Sequence, residues 1–161
     1  GKFSGVQNYF ALVGRAGPNL QEKCGYWGER LVLKAQSMGL NTCWVALTFT
    51  KVKSAYTLGT GEKLAAVIAL GHGATQGVPH KSKPMEELAK AEGPMPDWFR
   101  AGMEAVLLAP TAVNQQKFLF TLEQDGRVSA QPGHAFYAKM DLGIAKYHFE
   151  VGAGKENVQW V

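Results

Sequence analysis

Cysteine is almost missing from this sequence: Cys24 and Cys43 are the two present in 161 residues. Two thiols allow at most one bridge, which excludes a disulfide-stapled scaffold. No Cys-x-x-Cys occurs, and His72, His80, His134 and His148 are never three or four residues apart, so no local metal site is expected. Long apolar runs are also lacking. No stretch of about twenty apolar residues is present to span a membrane, and none reads as a secretory signal. The expectation is a soluble, cytoplasmic chain with two buried, reduced thiols and no membrane partner. A block of like charge is missing too. Seventeen Lys and Arg stand against thirteen Asp and Glu, a net +4 spread along the chain. No nucleic-acid partner is expected, and a basic pocket for a small phosphorylated ligand explains the charge equally well.

Catalytic signatures are equally sparse. Gly59-Thr60-Gly61-Glu62-Lys63 lacks the spacing of a phosphate-binding P-loop. Gly71-His72-Gly73 with Gly77 misses the dinucleotide fingerprint by one residue and reads as a strand exit. Ser54 and Ser82 lie in no nucleophile elbow. There is no internal repeat and no low-complexity segment.

What remains is an alternation of elements. Val6 to Val13 reads as a buried strand. Leu20 to Met38 reads as a helix with Cys24, Trp27, Leu31, Ala35 and Met38 on its apolar face, Glu29 elsewhere, and Gly39 as a left-handed stop. Asn41 to Thr50 is rich in β-branched and aromatic residues and reads as strand or extended loop. Leu64 to Leu70 suits a strand covered on both faces. Met85 to Ala91 reads as a short helix. A further helix starts at Asp97, taken as its N-cap. Asp125-Gly126 marks a hairpin tip, Ala138 to His148 reads as helix, and Phe149 to Val151 as a strand. Helices interleaved with a hairpin predict an α+β fold, a mixed central sheet packed by helices. Length bounds it to one domain, 1–161.

Two segments carry candidate chemistry. In Lys81-Ser82-Lys83, two ammonium groups flank a hydroxyl; they are either a solvated basic loop or a shared anion site. In Pro110-Thr111-Ala112-Val113-Asn114-Gln115-Gln116, planar amides offer donor and acceptor together, which suits a heteroaromatic ring bearing carbonyl and N–H groups. A local role fits as well: Thr111 capping a turn, Asn114 bonding its own backbone.

This amide segment resembles the Pro-Ser-x-x-Asn-x-Gln segment of the nitroreductase-like flavoproteins. Three further stretches are similar to that family in the same order: Gly25 to Leu47, Leu64 to Gly73, and Lys81-Ser82-Lys83. Asp141 to Gly154 resembles a branch in which two nitroreductase-like halves share one chain, the second half beginning here at about residue 94. The resemblance implies a nitroreductase-like α+β fold and bound FMN. It implies ping-pong hydride transfer from NAD(P)H to a small-molecule acceptor such as a nitroaromatic or quinone. It implies Lys81 and Lys83 on the FMN phosphate, Asn114 and Gln116 on the flavin or its ribityl chain, and Pro110 and Thr111 fixing the loop. Thr42, Val45, Ala46 and Leu47 would lie along one ring face with Trp44 beside it. No catalytic side chain is implied. The family's leading Arg-x-Ser-x-Arg segment does not occur here, so the resemblance implies roughly seventy residues before Gly1, a length in keeping with ordinary domain size. That segment or a second chain would complete the site. A flavin-binding module without turnover, or a fragment with a vestigial site, is the alternative.

Overall fold

The computed structural model describes residues 5–161. Among these residues, six strands fall into two three-stranded sheets. In the first, β3 (Glu62–Gly71) is central, flanked by β1 (Asn8–Arg15) and β2 (Asn41–Val45), both antiparallel to it. Ala66, Val67, Ile68 and Ala69 are buried in succession, so both faces of β3 are covered, as its unbroken apolar run requires. Among the described residues β1 pairs with β3 alone and buries only Leu12, so there it is an edge strand and not the buried strand expected. β2 stops at Val45 and residues 46–48 bend away.

The second sheet is mixed. β5 (Phe118–Leu122) runs parallel to β4 (Ala89–Ala91) and antiparallel to β6 (Val128–Pro132). The hairpin turns where Asp-Gly placed it: Gly126 takes φ 82°, and Asp125 Oδ1 accepts the Arg127 N–H at 3.0 Å. Met85–Glu87 is one 3-10 turn that feeds β4, so the helix expected from Met85 to Ala91 is not formed. The cause is tertiary: the Leu88 carbonyl accepts the Phe120 N–H at 2.9 Å, pulling the segment onto the sheet.

Three helices join the sheets. α1 (Leu20–Ser37) ends in a Schellman motif, with the Leu40 N–H on Ala35 O, the Gly39 N–H on Gln36 O, and Gly39 at φ 77°. α2 (Asp97–Val106) has Pro96 as its N-cap. Asp97 is therefore the first helical residue, where its charge faces the positive end of the helix dipole. α3 (Ala138–Ala153) absorbs the strand expected at Phe149 to Val151. Phe149 is fully buried among Phe99, Phe120 and Trp160, and only the helical path brings it there.

α1 and α3 cross at backbone distance. A Cβ on Gly25 would stand 2.1 Å from Met140 O, and one on Gly143 would stand 2.0 Å from Glu22 O. This contact stripe rotates α1 away from its apolar face. Gly25, Gly28 and Glu29 are buried with Cys24 and Ala35, while Trp27, Leu31 and Met38 are exposed. Arg30 stands over the Trp27 ring, 5.3 Å from its centroid. Burial raises the Cys24 thiol pKa; Cys43 is exposed, so only one of the two thiols is buried. The chain end is fastened by Trp160, whose Nε1–H donates to Glu150 Oε1 at 2.8 Å, while the Tyr26 hydroxyl donates to Oε2 at 2.5 Å. Burial, together with that carboxylate, pushes Tyr26 up to about 12.

Candidate functional site

A cleft of about 250 Å³ opens between the end of β2, the amide loop and the start of α3. Trp44, Val45, Ala46 and Leu47 form one side. Pro110, Thr111, Ala112 and Val113 form another, and Tyr137, Met140, Asp141 and Ile144 close it. Its volume falls just below the usual range for whole drug-sized ligands, so it suits a flat ring system with the rest of a ligand outside. Leu47 and Val113 are exposed at the lips.

The amide loop is strained. Val113 has φ 46°, Asn114 54° and Gln116 46°, and Tyr137 across the cleft has φ 59°. Left-handed backbone at a β-branched, solvent-exposed valine costs energy and gains no packing. Side-chain contacts hold it. The Thr111 hydroxyl accepts the Gln116 N–H at 3.1 Å and makes no cap bond. Asp141 Oδ1 accepts the Ala112 N–H at 3.0 Å, and Oδ2 accepts from Gln115 Nε2 at 2.6 Å. Gln115 Nε2 also donates to Phe136 O at 2.8 Å. Burial raises the Asp141 carboxyl above the ordinary carboxylate range, against the lowering effect of those two donors.

The other two amides reach the basic segment. Gln116 is buried; its Oε1 accepts the Lys83 N–H at 2.8 Å, and its Nε2 donates to Lys81 O at 2.9 Å and Asn114 Oδ1 at 2.8 Å. Asn114 Nδ2 donates to Lys81 O at 3.0 Å. Ser82 Oγ donates to Leu107 O at 2.7 Å, just past α2. The carbonyl end of a helix favours neighbouring cations. Lys81 is exposed and Lys83 half-buried. The two motifs, over thirty residues apart in sequence, are thus one hydrogen-bonded unit.

Six of the eleven candidate residues line the cleft: Trp44, Val45, Ala46, Leu47, Pro110 and Thr111. Lys81, Lys83, Asn114 and Gln116 form the hydrogen-bonded unit joined to its loop wall and do not themselves line the cleft. Thr42 lies apart, in a second cavity with Asn41, Cys43 and His72. Sequence reasoning missed Tyr137, Met140, Asp141 and Ile144. An acidic residue in the first turn of a helix reads as dipole compensation, and nothing local links Asp141 to residues 112–115. It also missed Glu29 and His148. Glu29 is 1% exposed, its Oε1 is 2.9 Å from His148 Nε2, and its Oε2 accepts from Trp44 Nε1 at 2.9 Å. Among the described residues, no three His, Cys, Asp or Glu side chains gather as a metal-ligand set. No helix there is long and apolar enough to cross a membrane.

Two sheets bridged by three helices, with a strained loop over a cleft at their junction, define an α+β protein of nitroreductase-like architecture. The family described as "Putative TM nitroreductase" matches residues 1–153, and the chain belongs to that family. A solved structure from Thermotoga maritima, titled as that of a "putative nitroreductase", superimposes with a TM-score of 0.68 at 22% identity. The match covers 92% of this chain and 61% of that one, so this chain spans under two thirds of its neighbour's length. No curated protein matches the sequence at a significant level.

Proposed function

We propose that the chain is the flavin-binding part of an FMN-dependent oxidoreductase of nitroreductase type. The observation that carries this reading is the junction just described: a narrow, largely apolar cleft whose loop wall is hydrogen-bonded to a two-lysine segment. A flat ring with a phosphorylated tail is a ligand whose two ends differ in this way. The donor set fits it. Trp44 to Leu47 would face one side of the ring, and the Pro110–Val113 backbone would border its edge. Lys81, and Lys83 with the N–H groups left beyond the one its Nζ donates to Gln116 O at 3.3 Å, would meet the phosphate as charge-assisted donors. Gln116 would act by holding the lysine segment against the loop, since its own amide is engaged within the protein. Asn114 keeps one N–H beyond its bond to Lys81 O and would direct it to the ligand.

FMN, if held there, would supply the hydride chemistry between NAD(P)H and a nitroaromatic, quinone or similar acceptor. The protein's part is binding, orientation and exclusion of water. Backbone N–H groups around Ala46 and Leu47 would stabilise negative charge on the ring, so no acid–base side chain is needed. A second chain would supply any further donors at the phosphate end.

The test is a titration of the chain with FMN. Binding should give a retained yellow protein absorbing near ~450 nm, and Lys81→Ala with Lys83→Ala should weaken FMN far more than riboflavin. NADPH oxidation with a quinone then separates enzyme from carrier. A protein that stays colourless at high FMN sinks the reading.

A further inference from the structure

We infer that Glu29, His148 and Gly28 form a seat that fixes the indole of Trp44, and through it the inner wall of the cleft. The flavin-binding part of the test rests on the function proposed above; the seat itself rests on geometry alone.

Trp44 packs against both hydrophobic cores and also lines the cleft, so its ring orientation is shared between fold and site. Its Nε1–H donates to Glu29 Oε2 at 2.9 Å. The other carboxyl oxygen is 2.9 Å from His148 Nε2, and His148 Nδ1 is 3.1 Å from Ala105 O. A backbone carbonyl only accepts, so Nδ1 bears a hydrogen. One proton is then left between Nε2 and Oε1. Whichever atom holds it, the pair is neutral overall, which is how a carboxyl this deeply buried is tolerated. Glu29 lies on α1, Ala105 on α2 and His148 on α3, so the indole is tied to all three helices.

Gly28 supplies the space. A Cβ there would stand 2.3 Å from Trp44 Cη2 and 2.9 Å from Cζ2. The ring therefore lies flush on α1 with its N–H held one residue further on. A tryptophan that only filled the core would need neither the buried carboxyl nor the bare helix surface. Here both converge on one rotamer, and that rotamer sets the cleft wall.

The experiment compares the full chain with Glu29→Gln, Glu29→Leu and Gly28→Ala. The readouts are the indole N–H resonance of Trp44 and binding of FMN and riboflavin by flavin-fluorescence quenching. Glu29→Gln still accepts from the indole and donates to neutral His148, so its resonance and affinities should stay within about threefold of the parent. Glu29→Leu and Gly28→Ala should displace the resonance and weaken both flavins by about tenfold or more, equally, because the ring end is affected. If the resonance stays put in both, or if it moves while both flavins bind within about threefold, the inference is overturned. Should Glu29→Leu fail to fold, Gly28→Ala, which leaves Glu29 and His148 in place, decides. Hydrogen exchange of the parent's Trp44 N–H is a second measurement, and exchange as fast as in an exposed indole overturns the seat. A parent chain that binds neither flavin defeats the proposed function instead, and the resonance and exchange data judge the seat.

Discussion

At the scale of single residues, Asp141 stands out because one carboxylate restrains the backbone at Ala112 and the side chain of Gln115 together. Its raised pKa fixes the sign of a pH effect. The folded state holds the proton more tightly than the unfolded chain, whose value is near 3.8. Asp141's contribution to stability is therefore fully present below that value and is lost as pH rises through the folded value. Asp141→Asn should flatten that part of a melting-temperature profile measured from pH 3 to 7. It should also loosen the loop. The amide oxygen still serves Ala112 N–H, but its NH2 meets the Gln115 NH2, and losing a bond to a charged acceptor costs about 1.5–3 kcal/mol. FMN affinity should fall by roughly tenfold or more, read in the same titration. An unchanged slope and affinity would remove Asp141 from the site.

At the scale of elements, the contact between α1 and α3 depends on missing side chains. Gly25 and Gly143 lie against backbone atoms of the opposite helix, which cannot yield as a flexible side chain can. Alanine at either position gains about 1 kcal/mol of helix propensity, yet overpacking of this kind costs about 1–3 kcal/mol or more. Gly25→Ala and Gly143→Ala should therefore both lower the urea midpoint, without a change in helical content below the transition. A rise in the midpoint would show that the helices separate easily. The same crossing explains why apolar periodicity misjudged α1. Periodicity marks which residues are oily, whereas here the closest approach follows which residues are small, leaving Trp27, Leu31 and Met38 outside and Glu29 inside.

At the scale of the whole molecule, two sheets with separate cores are held as one body by α3, which meets both α1 and α2, and by Trp44, which touches both cores. Unfolding should be a single transition, with far-UV circular dichroism and tryptophan fluorescence coinciding in urea; two separated midpoints would show that the halves are independent. The sequence alone determined what is written in local rules. These are the α+β class, the α1 stop at Gly39, the Asp-Gly hairpin and the doubly covered β3; the amide loop and the lysine pair were legible only as polar segments that a local turn or solvent could also satisfy. Such features depend on backbone sterics and short-range pattern, and neighbours rarely override them. Tertiary contacts decided the rest: β4 instead of a helix, one long α3 in place of helix and strand, the burial of Glu29 with His148, and the clamp of Asp141 on a loop almost thirty residues upstream. Each depends on a partner distant in the chain, and no local window holds both sides of such a contact.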